Sequence, residues 1–535
     1  PAPERAPFGQ LQVVRDYASA RGGKERTLYD RWNAVGRIQI FAYDDVAGQR
    51  SPYPFLFYAQ DSSAGSSLAS WDGRERESVP TILPRENVVA HACEETLWGQ
   101  AYFAPRKRVL VIGLGGGMDV QCALFHGAES VDVVEINPDS IAALRGPFNG
   151  WTGGIGSNPR VTYHLADGRS FAHRLREGGY DVIQLSGVDT KNAASSGGLA
   201  LSENTLYTEE AFADYLRNLR EDGVLSIVRF SDAEAIRLSH TAVTALRHVG
   251  AVHPEDHVVV RDDAYVRGVL VRRSAFAPED VVAVERSLAP PDGPGAAYGV
   301  SIFFYEAMGM DFTMPPLLEY APGRPSAGPA SRYLTAVAAG TEARFLGEYP
   351  FDVAPATDDR PFFFDVFRYD GLSALAYPHV RMLSSVLLSV LALGIGLLLL
   401  PMALSRLSVR EVRPVAGVVF ACVGLAYLFV EVWSIHRFST YLGHQTYALG
   451  VVLFTLLLGT GIGARLGEAR RGTPRTFLVA TLGIVLVLAL GHGVLPSILN
   501  ATTTTSFLLR ATVTAGNVFG GDFKRLALAF VDDHA

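Results

Sequence analysis

The chain has 535 residues, room for two or more domains. Its 47 Lys and Arg stand against 54 Asp and Glu, a net charge of -7. With no basic surplus to neutralise phosphates, it does not read as a nucleic-acid binder. Cys93, Cys122 and Cys422 are odd in number and far apart, so neither a disulfide framework nor a metal site is expected, and each reads as a small buried hydrophobe.

The chain starts at Pro1 without methionine and shows no signal peptide, which leaves room for an upstream part. Residues 1–100 read as a β-rich module. Arg37–Tyr43 and Tyr53–Tyr58 are predicted strands separated by turn-forming Asp44, Asp45 and Gly48, and Gln60–Gly65 is a predicted loop.

The next stretch carries the strongest signal. Val109–Ile112 is a short unbroken apolar run, as expected of a strand buried on both faces of a parallel sheet. Glycines follow at 113, 115, 116 and 117, then a predicted helix over Asp119–His126 and a second strand over Ser130–Val134. Glycine where strand hands over to helix lets backbone approach a ligand closely. Glu135, at the end of the second strand, is placed to accept hydrogen bonds from ribose hydroxyls. A dinucleotide fingerprint would want its third glycine at 118, where Met118 stands. The spacing of Gly113, Gly115 and Gly117, with Asp119 following, instead suits a nucleoside carrying an amino-acid tail, as in class I folds that bind S-adenosylmethionine.

Arg160–Leu165 is a third predicted strand closing on Asp167-Gly168, an acid placed for an adenine amino group or for a plain turn. Tyr180–Leu185 is a fourth, ending in Ser186, Gly187, Val188, Asp189 and Thr190. Ligands of open α/β sheets sit beyond the carboxyl ends of the strands, so 113–119, 135, 167 and 186–190 are expected to share one crevice. Glu209–Arg220 is amphipathic and helical, Gly223–Phe230 a fifth strand, and His257–Arg261 with Val266–Val271 a hairpin flanking Asp262 and Asp263. The α/β domain is thus predicted over 101–275.

An accessory region is predicted over 276–380, with Pro/Gly-rich linkers at 289–295 and 322–330. Within it, Tyr349–Phe364 sets charge beside aromatics, the pattern of a folded collar near a membrane surface. Four apolar segments follow within 381–500: Met382–Leu404, Val415–Trp433, Tyr447–Ile462 with Gly463–Ala464, and Phe477–Leu499. They are expected to form a transmembrane helix bundle, since a helical crossing takes about 20 residues. Arginines 406, 410, 413, 465, 470, 471 and 475 fall on one side, which the positive-inside rule makes cytoplasmic and so sets the α/β domain outside. A ligand made inside the cell argues the opposite, and a cytoplasmic domain on an inner membrane is the expectation adopted. Glu431, His436, Arg437 and His444 read as functional charges at membrane depth or as interfacial anchors. In the tail over 501–535, Ser506–Phe519 is too short and too polar for a span, and an interfacial tail is one reading left open.

Gly113–Asp119, Leu185–Thr190, Leu201–Thr208, Pro355–Phe364 and Tyr441–Leu449 together resemble the membrane-fused spermidine synthase-like proteins of bacteria. The resemblance implies a Rossmann-like class I methyltransferase sheet and S-adenosylmethionine or decarboxylated S-adenosylmethionine as ligand. It implies Gly113, Gly115, Gly117, Asp119, Glu135, Asp167 and Gly168 as the residues that bind it, with no metal. Polyamine aminopropyltransferases end their fourth strand in two acids separated by two residues, the first of which takes part in deprotonating the attacking amine. Here Ser186 stands in the first place and Asp189 in the second, and a serine hydroxyl cannot take that proton unaided. The family's polyamine-gripping Tyr-His-Glu segment has no clear counterpart beyond His91–Glu95.

Three functions fit these residues. The first is aminopropyl transfer to a polyamine, with Asp189 orienting or deprotonating the amine and Glu203, Tyr207 and Asp61 lining its channel. The second is methyl transfer to a membrane-associated, lipid-like acceptor. The third is a non-catalytic nucleoside sensor coupled to the helix bundle. The expected partners are a small-molecule amine or a membrane-associated acceptor and the lipid bilayer, with no nucleic acid. The oligomeric state is left open, a homodimer being one form allowed.

Overall fold

The computed structural model describes residues 24–33, 35–44, 55–61, 64–76, 88–175, 179–188, 203–263, 266–287 and 317–369, parts of 380–468, and residue 514. The chain divides into two compact units, Pro1–Val380 and Arg381–Ala535.

The first unit holds two sheets. β1 (Lys24–Trp32), β2 (Arg37–Asp44), β3 (Phe55–Gln60) and β4 (Ala64–Ala69) form an antiparallel meander in chain order. Two of its strands match the predicted ones. β4 takes up part of the predicted loop Gln60–Gly65, leaving a tight turn at Asp61, whose φ is 51°.

The larger sheet contains β5 (Arg108–Ile112), β6 (Ser130–Glu135), β7 (Val161–Leu165), β8 (Tyr180–Ser186), β9 (Leu219–Arg229), β10 (Val258–Asp262), β11 (Arg267–Arg272), β12 (Leu317–Ala321) and β13 (Arg324–Pro325). Its order is β13-β12-β10-β11-β9-β8-β5-β6-β7. The block β9-β8-β5-β6-β7 is parallel, and the hairpin β10–β11 adds the antiparallel side by pairing β11 with β9. This is the Rossmann-like α/β sheet expected from the apolar runs. The chain runs outward through β5, β6 and β7, then returns to lay β8 against the other side of β5. That reversal is the topological switch point, where open sheets bind ligands.

Val109, Val111 and Val182 face a core shared with Ile38, Ile40, Leu56, Tyr58 and Leu68 of the small sheet, so the meander is packed on the larger sheet. The opposite face buries Leu110, Ile183 and Leu185 against Phe212, Tyr215, Ile236 and Leu246 of helices Glu209–Asn218 and Asp232–His248.

Three expectations are corrected here. First, Cys93 and Cys122 form a disulfide between helices Val88–Glu95 and Met118–Phe125, where unpaired cysteines were expected. Both flanks are buried, and nothing in a separation of 29 residues announces the pairing.

Second, the Tyr349–Phe364 stretch is part of the α/β unit rather than a membrane collar. The buried Arg169 guanidinium pairs with Asp214 and donates to Asp358 at 2.9 Å, while Thr208 Oγ1 donates to the same Asp358 carboxylate at 2.7 Å. Arg237 donates to the carbonyls of Phe363 at 2.6 Å and Asp352 at 2.7 Å. Part of the predicted linker 322–330 is likewise structured, as the turn into β13 and the start of helix Pro329–Ala338.

Third, the transmembrane bundle is not found: among the described residues no helix is long and apolar enough to cross a membrane. The longest, Gln445–Glu468, has 24 residues, but its apolar run Tyr447–Ile462 with Gly463–Ala464 gives way to Arg465 and Glu468 before the helix ends. A run of that length falls short of the roughly 20 apolar residues a crossing needs. In this unit Phe438, Leu442, Ala448, Val452 and Leu456 form a small buried cluster. Residues 395–423, 436–437, 444 and 469–513, with the tail from 515, lie outside the described residues, as do the predicted linker 289–295 and the third segment's flanking arginines 470, 471 and 475.

Candidate functional site

β5 delivers the glycine loop to the switch point. Gly113, Gly115 and Gly117 have φ of +88°, +47° and +92°, left-handed values that side chains resist. Gly116 answers a different constraint: a Cβ there would lie 1.9 Å from the Ser67 carbonyl oxygen of β4. The small sheet therefore touches the loop backbone to backbone, and Ser66 Oγ accepts the Gly116 N–H at 3.2 Å.

Glu135 ends β6 fully within this crevice. Its carboxylate accepts the N–H of Leu114 at 2.9 Å and of Asn137 at 2.7 Å. Burial pushes its pKa upward, opposed by those backbone donors. Asn137 caps helix Pro138–Arg145 by accepting from Asp139 N–H. Its Oδ1 also accepts from Asn33 Nδ2 at 2.8 Å, while its own buried Nδ2 has no partner among the described residues.

Asp167 stands at the end of the β7 segment, as expected, and its side chain accepts the Ser170 N–H at 2.7 Å, capping helix Gly168–Arg174. Gly168 leaves space that Ile112 occupies: a Cβ would come within 2.4 Å of Ile112 Cγ2.

β8 supplies the residues that meet Asp119, in the helix after the glycine loop. Gln184 and Ser186 share one face of the strand, as alternate residues do. Gln184 Nε2 donates to Asp119 Oδ1 at 2.8 Å, and Ser186 Oγ donates to the same oxygen at 2.9 Å. Gln184 also bonds the Trp98 carbonyl at 2.8 Å and accepts from the Tyr102 phenol at 3.3 Å. Burial raises the Asp119 pKa to about 7, with the bonds from Ser186 and Gln184 pulling it down.

The residues expected along the amine channel are less closely gathered. Tyr207 Oη donates to the Val188 carbonyl at 2.8 Å, beside the buried Arg229 guanidinium. That bond ties the segment after β8 to the short helix Thr205–Tyr207. Glu203 is half-buried, next to Asn204, whose side chain accepts the Leu206 N–H and whose own N–H donates to Pro361. Asp61 accepts the Arg37 N–H at 2.8 Å and closes the β2–β3 hairpin, so its described bonds lie within the small sheet. Asp189 and Thr190 lie outside the described residues. His91 is buried in helix Val88–Glu95.

Sequence reading missed Gln184, Tyr102, Asn137 and Ser66. Gln184 had a signal: an amide within the apolar stretch Val182–Leu185, two residues before Ser186 and so on the same face of the strand. Asn137 stands two residues after Glu135, whereas Tyr102 and Ser66 come from segments outside the motifs.

Residues 91–262, which run from before β5 to the end of β10, match the family described as Spermine/spermidine synthase domain. Among curated proteins, the polyamine aminopropyltransferase of Clostridium acetobutylicum is 28% identical over 120 residues, covering 22% of this chain and 39% of the relative. That of Prochlorococcus marinus subsp. pastoris is 25% identical over 23% of this chain and 40% of its own length. That of Aeropyrum pernix is 24% identical over 43% of this chain and 72% of its own length. The chain thus spans about two fifths of the length of the first two. Among solved structures, a spermidine synthase from Thermotoga maritima is 18% identical with a TM-score of 0.32, over 54% of this chain and 88% of that one. Residues 91–262 are thus similar to the spermine/spermidine synthase domain and to polyamine aminopropyltransferases, and they build most of the Rossmann-like α/β sheet.

Proposed function

We propose that the first unit binds decarboxylated S-adenosylmethionine at the switch-point crevice and transfers its aminopropyl group to a small polyamine-type amine, releasing 5′-methylthioadenosine. The observation that carries this reading is the match of 91–262 to the spermine/spermidine synthase family, a stretch that includes the glycine loop, Glu135, Asp167 and Ser186.

The side chains present suit an adenosyl ligand. Glu135 offers carboxylate oxygens at the carboxyl end of β6, where ribose hydroxyls can donate. Beside it, the Asn137 Nδ2 is a buried donor without a protein partner, and such a group is costly unless something else satisfies it. The glycine loop admits no side chain at 113, 116 or 117 without displacing a neighbour. Gly115 is the roomiest of the four positions, its nearest neighbour being Ser66 Oγ at 3.3 Å from a built Cβ. Asp167 and Gly168 complete the ligand side, while the buried Asp119 lies behind Ser186. Glu203 and Tyr207 are assigned to the amine side, with Asp61 on the hairpin of the small sheet, and Asp189, outside the described residues, is assigned there from the sequence.

Methyl transfer from S-adenosylmethionine is the competing reading, favoured by one observation: the first acid of the aminopropyltransferase pair is Ser186. Calorimetry of the purified full chain with S-adenosylmethionine, its decarboxylated form and 5′-methylthioadenosine separates the two, together with an assay of methylthioadenosine release in the presence of putrescine. Preference for the decarboxylated compound with release of methylthioadenosine supports the proposal. Preference for S-adenosylmethionine without release favours methyl transfer. Binding without any turnover favours a sensor, and binding of none of the three overturns the ligand itself.

A further inference from the structure

Aminopropyl transfer needs somewhere for a proton to go. An alkylammonium has no lone pair, and Ser186 stands where the aminopropyltransferases carry the carboxylate that takes part in removing its proton. The geometry points to a relay: Asp119 acts through Ser186, so that the serine hydroxyl receives the amine proton as its own proton passes to the Asp119 carboxylate. This rests on the aminopropyl-transfer reading above.

Fold topology makes the arrangement. Asp119 lies in the first turn of the helix after the glycine loop, and Ser186 ends the strand laid beside β5 at the switch point. Although 67 residues apart, their side chains meet at 2.9 Å. Ser186 is half-buried at the strand end, whereas Asp119 is 6% exposed behind it. A carboxylate so placed cannot meet a bulky amine directly, but the hydroxyl in front of it can. Gln184 holds the same Asp119 oxygen at 2.8 Å, and Gln184 is itself fixed by Trp98 and Tyr102. Gln184 thus helps to orient the carboxylate, and it also reaches Ser186 Oγ at 3.4 Å.

The groups facing Asp119 are Gln184 and Ser186 from β8 and, through Gln184, the Tyr102 phenol. No cation pairs with it among the described residues. The helix N-terminus is the one cationic influence, and it favours the ionised form. Burial outweighs these and leaves the carboxyl poised near neutrality, the range in which a proton acceptor works best.

The step balances. The amine proton passes to Ser186 Oγ while the serine proton moves to Asp119. The freed lone pair attacks the methylene next to the sulfonium, and the carbon–sulfur bond breaks with its electron pair staying on sulfur. Neutral methylthioadenosine leaves, and Asp119 later returns its proton to solvent. Asp119 is here a positioning and proton-accepting residue that never touches the substrate.

The test uses the full chain with decarboxylated S-adenosylmethionine and putrescine, following methylthioadenosine release across pH 5 to about 9. Asp119→Asn is expected to lower kcat about 100-fold and to remove the acid limb near pH 7, with methylthioadenosine affinity held within about threefold. Ser186→Ala should do the same. Ser186→Asp placed on Asp119→Asn, which rebuilds the first-acid arrangement of the relatives, should recover at least about tenfold of the lost rate. If Asp119→Asn fails to fold, the Ser186→Ala profile decides. An active wild type whose rate and acid limb survive either substitution would overturn the relay alone. A wild type that releases no methylthioadenosine would overturn the transferase reading and the relay with it.

Discussion

The Glu135 carboxylate accepts the Leu114 N–H at 2.9 Å, binding the end of β6 to the second residue of the glycine loop. The same carboxylate accepts the Asn137 N–H at 2.7 Å, so one buried acid sets the loop and the start of the next helix together. Glu135→Ala leaves two backbone donors without this partner, at a cost of about 1–3 kcal/mol each if water does not replace it. It is expected to lower thermal stability and to weaken 5′-methylthioadenosine binding by at least about tenfold, or roughly 1.4 kcal/mol. Glu135→Gln should retain more stability than affinity. Paired thermal melts and calorimetry on both variants check this, and unchanged affinity in both would remove Glu135 from the ligand site.

The contact of the two sheets at Gly116 is equally specific. A Cβ at that position would sit 1.9 Å from a backbone oxygen of β4, which cannot rotate away as a side chain could. Gly116→Ala must then push the small sheet off the loop, and a loss of about 3 kcal/mol or more is expected, at the high end for overpacking. Gly347→Ala is the control, since a Cβ there meets nothing within 4 Å and the residue lies within helix Glu342–Glu348. It should be neutral or stabilising by about 0.5–1 kcal/mol. Denaturant unfolding of both variants gives the comparison, and equal stabilities would contradict the close approach.

The parallel sheet was readable because β5, β6 and β8 are short, largely apolar runs, and Gly113, Glu135 and Ser186 mark where they stop. Two pairings were not readable. Asp119 meets Ser186 only because the chain doubles back beside β5, and strand order is not written in local periodicity. Cys93 meets Cys122 because helix packing brings two apolar faces together, and there a cysteine passes for any small hydrophobe. Apolar content misled in the other direction after Met382. Hydrophobicity over a window does not distinguish a spanning helix from a shorter apolar one ended by Arg465 and Glu468. The charged and aromatic motif at 355–364 was legible as a motif but not as to place. Its anchors, Arg169 and Arg237, lie more than a hundred residues upstream.

The disulfide leaves Cys422 as the remaining cysteine, so denatured, unreduced protein should titrate a single free thiol. Closing a loop across a separation of 29 residues restricts the unfolded chain, and the entropy of that restriction corresponds to about 3.6 kcal/mol. Reduction, or Cys93→Ala with Cys122→Ala, is therefore expected to lower the midpoint of chemical unfolding of the first unit. Three reactive thiols in the unreduced protein would rule the bond out.

Asp119 makes the stability of the fold depend on pH in a direction opposite to that of a salt-bridged carboxylate. Its folded pKa stands near 7, raised by burial from the ordinary 3.8. Between these values the folded state keeps a proton that the unfolded chain has released, so stability falls as pH rises and the loss is complete above the folded value. At 1.36 kcal/mol per unit the difference approaches about 4 kcal/mol, less whatever Gln184, Ser186 and local water recover on ionisation. Other groups titrate over the same range, but they do so equally in Asp119→Asn, which cannot ionise at this position. The informative quantity is the stability of wild type minus that of the variant, measured by urea unfolding at pH 5 and pH 8. That difference should shift against the wild type by a few kcal/mol on going to the higher pH. A difference independent of pH would mean that Asp119 is ionised throughout. The carboxylate would then be a fixed structural anion, with no proton to exchange with Ser186 near neutrality.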